Sequence, residues 1–132
     1  MSQRTGIVIV VDDDAAVRNA LKFALETEGL SVVLCEGGHE LLGWQDLPAG
    51  GCLVVDYRMP DMDGFELVSR LRERQVSLPA ILITSQVNAE LRKRATEAGF
   101  CEVLEKPLHD SSLLDTVRVA LASAAVGEGD AI

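Results

Sequence analysis

The stretch Leu53-Val54-Val55-Asp56-Tyr57-Arg58-Met59-Pro60-Asp61-Met62-Asp63-Gly64 decides the fold. An unbroken apolar run ends in a carboxylate, and a Pro/Asp/Gly turn follows at once. Continuous Leu and Val residues mark a strand buried on both faces, as in parallel sheets. Asp56 then stands at the carboxyl end of that strand, the edge where open α/β sheets bind ligands. The run Gly6-Ile7-Val8-Ile9-Val10-Val11 ends the same way, in Asp12-Asp13-Asp14. Two parallel strands that deliver carboxylates to one edge build an acidic pocket. Such crowding requires a cation or a proton in compensation. Hard oxygen donors with open positions suit Mg²⁺.

The rest of the chain reads as alternating elements. Strands are expected over 6–11, 31–35, 52–55, 80–83 and 101–104. Helices are expected over 15–28, 39–44, 63–74, 88–98 and 110–122. Asp14 is placed to cap the first helix, whose inward residues are Val17, Leu21, Ala24 and Leu25, and Gly29 ends it. Phe65, Leu67, Val68 and Leu71 are the inward residues of the third helix. Leu113, Leu114, Val117 and Leu121 are those of the last. Gly99 closes the fourth helix, and residues 123–132 read as a short, acidic, frayed tail. Five strands alternating with five helices through short loops require a parallel sheet with helices on both faces. Right-handed crossovers then bring the strand ends to one edge. Asp12, Asp13, Asp56, Thr84 and Lys106 follow four different strands and converge there.

Composition narrows the function classes. The 132 residues are a single-domain length, 48% apolar and 25% charged, which fits a globular protein. No apolar run approaches the roughly 20 residues of a membrane span. With no signal-peptide core before the first strand, a cytoplasmic location is expected. The net charge is −9, so direct nucleic-acid binding is disfavoured. The basic clusters Arg70, Arg72, Arg74 and Arg92, Lys93, Arg94 read as solvated helix faces. Cys35, Cys52 and Cys101 lie beside Val or Leu and read as buried reduced thiols without zinc spacing. His39 and His109 read as exposed, and Trp44 as a packing anchor. Asp61 and Asp63 belong to the turn rather than to a calcium loop, because Arg72 occupies the position that needs a late Glu.

Taken together, these residues resemble a receiver domain of two-component response regulators, over residues 5–122. The resemblance rests on Asp12-Asp13, on Asp56 within Val-Asp-x-x-Met-Pro-x-Met-Asp-Gly, on Thr84, and on Lys106-Pro107. Val-Asp-Asp-Asp followed by Ala-Val-Arg, with Arg58-Met59-Pro60, is most similar to receivers of the FixJ type. It implies a flavodoxin-like (βα)5 fold, a doubly wound five-stranded parallel sheet of order 2-1-3-4-5.

The resemblance also implies a chemistry. Asp56 is the expected acceptor of a phosphoryl group from a sensor histidine kinase or phosphotransfer protein. Mg²⁺, with Mn²⁺ as an alternative, is expected on the Asp13 and Asp56 carboxylates and the Arg58 carbonyl, with Asp12 reaching it through water. The metal and Lys106 would relieve charge on the phosphoryl oxygens, and the Thr84 hydroxyl would donate to another. Ser85 is small beside the acceptor, Arg58 and Gln86 flank the path of an attacking water, and the Lys106–Pro107 bond is expected to be cis.

One position departs from the family pattern. An aromatic residue three before the lysine usually couples to the Thr, and here it is Val103. The expected readout is therefore a backbone shift of the loop after Thr84 and of the fourth helix. Output is expected through the surface of the fourth helix, fifth strand and fifth helix, to a downstream protein or a second copy formed on phosphorylation. With ten residues after Ala122, no effector domain is expected unless the chain is the receiver portion of a longer regulator.

Three rivals are weaker. A haloacid-dehalogenase-like phosphatase needs a second Asp two residues after the nucleophile, where this chain has Arg58, so a signalling phosphoacceptor is expected rather than an enzyme. A nucleotide- or flavin-binding module needs a Gly-rich loop where this chain has Asp-Asp-Asp. The third is a receiver that serves as an interaction platform without being phosphorylated.

Overall fold

The computed structural model describes residues 6–48, 50–108 and 111–130, the side chains of 124–130 excepted. Strand and helix alternate as β1 (Ile7–Val11), α1 (Ala15–Thr27), β2 (Ser31–Cys35), α2 (Gly38–Leu42) and β3 (Gly51–Asp56). The second half continues with α3 (Gly64–Glu73), β4 (Ala80–Thr84), α4 (Ala89–Glu97), β5 (Phe100–Glu105) and α5 (Ser112–Asp130). All pairings are parallel and the strand order is β2-β1-β3-β4-β5.

The apolar runs take the centre. Every residue of β3 and β4 is buried, as are the last four of β1, whereas β2 and β5 alternate with solvent as edge strands do. Because side chains alternate across a strand, each central run feeds two cores. Ile9, Val11, Leu53, Val55 and Leu82 meet Leu67 and Leu71 of α3 and Leu91 and Ala95 of α4. Val8, Val10, Val54, Ile81 and Ile83 meet Leu21 and Leu25 of α1 and Leu113 and Val117 of α5. Each fully buried aliphatic side chain contributes about 1.5–3 kcal/mol.

Local signals hold at the helix starts. The Asp14, Asp63 and Asn88 side chains accept backbone N–H bonds at the starts of α1, α3 and α4. Gly29 and Gly99 follow α1 and α4 at φ +89° and +97°, where a Cβ is strained. At Gly64 a Cβ would stand 2.8 Å from the Asp56 carbonyl oxygen and 3.0 Å from Leu82 Cδ1. This glycine lets α3 start against the end of β3. Gly64→Ala should lower stability by about 1–3 kcal/mol, read as a reduced urea midpoint with an unchanged slope. A midpoint equal to wild type would show that the neighbours yield freely.

Several expectations give way. Cys101 is exposed, because the β4–β5 register shifts between Ala80 and Ile81, pairing Phe100 and then Glu102. Cys101 is thus the extra residue of an irregular edge, turned outward. Ala24 is exposed: the inward stripe of α1 follows the i, i+4 line from half-buried Val17 through buried Leu21 and Leu25. Phe65, Leu114 and Leu121 are half-buried. α5 passes Ala122 and runs to Asp130, so residues 123–130 are helical and 131–132 lie outside the described residues. Ser123-Ala124-Ala125-Val126 contains no breaker, and Gly127 and Gly129 each cost about 1 kcal/mol without forbidding helix.

The basic clusters are not simply solvated. The Arg72 guanidinium donates to the Val76 carbonyl, and Arg74 donates to those of Leu42 and Trp44. Trp44 packs half-buried on the core formed with α3 and α4, and His39 is exposed. His109 lies outside the described residues. Among those described, no helix is long and apolar enough to cross a membrane.

Candidate functional site

Four strand ends meet at the carboxyl edge of the sheet. Asp12 follows β1, and its N–H extends the ladder to the Cys35 carbonyl at 3.1 Å. Asp56 and Thr84 are the last residues of β3 and β4, and Lys106 follows β5, its N–H bonded to the Thr84 carbonyl at 2.8 Å. Asp12, Asp56 and Thr84 are the buried polar residues among those described, at 0%, 5% and 4% exposure. One carboxylate oxygen each from Asp12, Asp13 and Asp56 lies within 4.8 Å of the others, with Asp13 facing solvent. Ser85, Gln86 and Arg58 are exposed and, with Thr84, line one pocket beside this edge. The Lys106–Pro107 bond is cis.

Lys106 supplies the cation that this crowding demands. Its ammonium stands 3.0 Å from Asp12 Oδ2 and 3.1 Å from Asp56 Oδ1. Burial alone would lower its pKa, but the contacts to Asp12 and Asp56 raise it above the ordinary value. One lysine does not neutralise three carboxylates. Burial, followed by the charge of Asp12, pushes Asp56 up from 3.8 to about 6 against the pull of Lys106. Asp12 Oδ1 accepts the Asp14 N–H at 2.9 Å, whereas buried Oδ2 has no hydrogen bond of good geometry beyond the ammonium contact. An under-satisfied buried oxygen in a set of three hard donors fits a small divalent cation.

Supporting contacts are less visible in the sequence. The Arg18 guanidinium donates to the Asp12 carbonyl at 2.7 Å and fixes the first acidic residue from α1. Its only sequence signal is its place one turn into α1, on the side that faces the strand end. Asp61 accepts the His39 and Met62 N–H groups, each at 2.9 Å, tying the loop after Asp56 to the start of α2. Burial opposes ionisation of Asp61, but backbone N–H donors outweigh it and hold the carboxyl below the ordinary range. Val103 is buried in the core beneath α4 and carries no ring. The aromatics stand elsewhere: Tyr57, Phe65 and Phe100 form an edge-to-face series with centroids 5.4 and 5.6 Å apart.

A parallel sheet of this order with a carboxylate cluster and a lysine at its carboxyl edge defines a class of signalling domain, and the sequence comparisons name it. Residues 8–118 match the response regulator receiver domain family, so the chain belongs to the receiver domains of two-component systems. It is 34% identical over 119 residues to the transcriptional regulatory protein FixJ of Bradyrhizobium diazoefficiens, covering 90% of this chain and 58% of that protein. An uncharacterized 14.6 kDa protein of Leptolyngbya boryana is 39% identical over 113 residues, covering 84% of this chain and 86% of its own length. The crystal structure of FixJ-N superposes with a TM-score of 0.82 at 31% identity, covering 91% of this chain and 96% of that one.

Proposed function

We propose that this receiver is a Mg²⁺-dependent phosphoacceptor, with Asp56 as the nucleophile and a sensor histidine kinase or phosphotransfer protein as the donor. The observation that carries the reading is the Asp12–Asp13–Asp56 cluster, two of whose carboxylates, Asp12 and Asp56, hold the Lys106 ammonium. One Asp56 carboxylate oxygen attacks the phosphorus of a phosphohistidine. A P–O bond forms, the P–N bond breaks, and the electron pair leaves with the imidazole. Asp56 must be ionised to attack, and with its pKa near 6 most of it is ionised at neutral pH. Asp13, Asp56 and the Arg58 carbonyl would hold Mg²⁺ or Mn²⁺, with Asp12 one water away. The ion would supply charge relief for the phosphoryl oxygens. Lys106 holds one of those oxygens as a point charge, and the Thr84 hydroxyl donates to another. Arg58 and Gln86 set the approach of water and hence the lifetime of the acyl phosphate. Ser85, between Thr84 and Gln86, leaves the acceptor accessible.

Output would leave through the α4–β5–α5 face, to a protein partner or to a second copy of the chain. The test is intact-protein mass after incubation with acetyl phosphate, with and without Mg²⁺, beside Asp56→Asn. One added phosphoryl group is expected, dependent on both the metal and Asp56. Where acetyl phosphate fails, a phosphorylated histidine phosphotransfer domain is the second donor. An adduct that persists in Asp56→Asn, or none with either donor, moves the reading to an unphosphorylated interaction platform.

A further inference from the structure

We propose that Tyr57 and Arg94 form a latch that holds α4 in its resting position and that loading of Asp56 releases it. The proposal rests on the phosphoacceptor reading and deepens it, supplying the coupling that buried, ringless Val103 does not provide. The Arg94 guanidinium carbon lies 4.3 Å from the Phe65 ring centroid, and its Nη1 donates to Tyr57 Oη at 3.4 Å. A single side chain of α4 thus bridges two residues of the segment that follows the acceptor.

Tyr57 is the residue after Asp56, and its backbone is fixed on both sides. Its N–H donates to the Ile83 carbonyl, and its carbonyl accepts the Gly64 N–H, each at 2.9 Å. Phe65 is braced edge-on between Tyr57 and Phe100. The far side of the latch is less constrained. An open pocket of about 230 Å³ is lined by Tyr57 and Arg94, by Thr84 at the end of β4, and by Ser85 and Asn88 of the loop leading into α4. That loop has room to move inward.

The geometry gives the direction. A tetrahedral anion on Asp56 attracts the Thr84 hydroxyl, and the loop after Thr84 closes into the cavity. Asn88 caps α4 through the Leu91 N–H at 2.8 Å, so the first turn of the helix follows the loop. Arg94 lies on the same short helix. Its bond to Tyr57, at 3.4 Å, is already longer than the usual range of about 2.7–3.2 Å, and a helix shift that lengthens it by about 0.5 Å ends it. The latch therefore stabilises the resting state selectively, and removing it lowers the cost of switching.

Beryllofluoride, a tetrahedral phosphoryl analogue that attaches to an ionised carboxylate, reads this cost as an apparent affinity in saturating Mg²⁺. Arg94→Ala and Tyr57→Phe should each tighten beryllofluoride binding by about three- to tenfold. The double variant should gain no more than the larger single effect. Amide hydrogen exchange across Ala89–Glu97 should rise in both resting variants, while Mg²⁺ affinity without beryllofluoride stays at wild type. Unchanged or weakened beryllofluoride binding in the variants overturns the latch and leaves the acceptor standing. An effect of Arg94→Ala with none from Tyr57→Phe also overturns it. Failure of the wild-type protein to bind beryllofluoride removes the acceptor reading and the latch together.

Discussion

Asp56→Asn should make the metal-free protein more stable while abolishing the acceptor. Asp56 is 5% exposed and faces Asp12, so its ionised form is disfavoured in the fold, and its pKa stands at about 6 against an ordinary 3.8. A carboxyl whose pKa is raised by folding is most favourable to the fold below its unfolded value, where it is protonated in both states. That contribution is lost as pH rises through the folded value. The metal-free protein should therefore lose stability between about pH 4 and pH 7 through this group. A rise of that size corresponds to about 3 kcal/mol, and charge rearrangement around Lys106 brings the expected gain from Asn to about 1–3 kcal/mol. Urea unfolding in the presence of a chelator, at pH 5 and pH 7.5, measures it. The gain should be about half its full size at the lower pH, full at the higher, and diminished in wild-type comparisons made with saturating Mg²⁺. A variant less stable than wild type at pH 7.5 would mean that the carboxylate is satisfied in the metal-free fold. Stability given up at a reactive centre is a common consequence of crowding charge there.

What was legible in the sequence follows from what one dimension records. The apolar runs of β1, β3 and β4 announce burial on both faces, and each ends in a polar residue at one edge. The sheet, its order and the convergence of Asp12, Asp56, Thr84 and Lys106 could be written down from run lengths, short loops and the family resemblance. Caps were legible at Asp14 because the bond closes within three residues. Contacts that cross the fold were not. Arg74 reaches the Leu42 and Trp44 carbonyls, and Arg94 reaches Tyr57 across 37 positions. In each case the sequence shows only an arginine on a helix face, the pattern a solvated side chain also gives. Nothing around Tyr57 in the chain signals that Phe65 lines up against it and Phe100 against Phe65. Cys101 reads as a strand interior, and only the β4–β5 register turns it out.

Lys106→Met should have the opposite effect on stability to Asp56→Asn, and for the same electrostatic reason. The ammonium is the partner of both Asp12 Oδ2 and Asp56 Oδ1, and its side chain is 22% exposed. Its removal leaves two buried carboxylates facing each other, and breaking such a pair costs about 3–5 kcal/mol when fully enclosed. Partial exposure of the lysine and proton uptake by Asp56 reduce the expected loss to about 2–3 kcal/mol in chelator at pH 7.5. Acidification toward pH 5 should recover part of it, because a protonated Asp56 no longer needs the cation. Saturating Mg²⁺ should recover more, because the same oxygens then face a divalent ion. Phosphoryl transfer should not recover with stability. A point charge aimed at an equatorial oxygen acts on charge that develops during transfer, and loss of one such donor typically costs about 10²–10³ in rate. Adduct formation from acetyl phosphate, followed by intact mass at saturating Mg²⁺, separates the two roles. A variant that regains its stability with Mg²⁺ but stays slow assigns Lys106 to the transfer step as well as to the resting pocket. Wild-type rates after that recovery would leave it a counter-ion only.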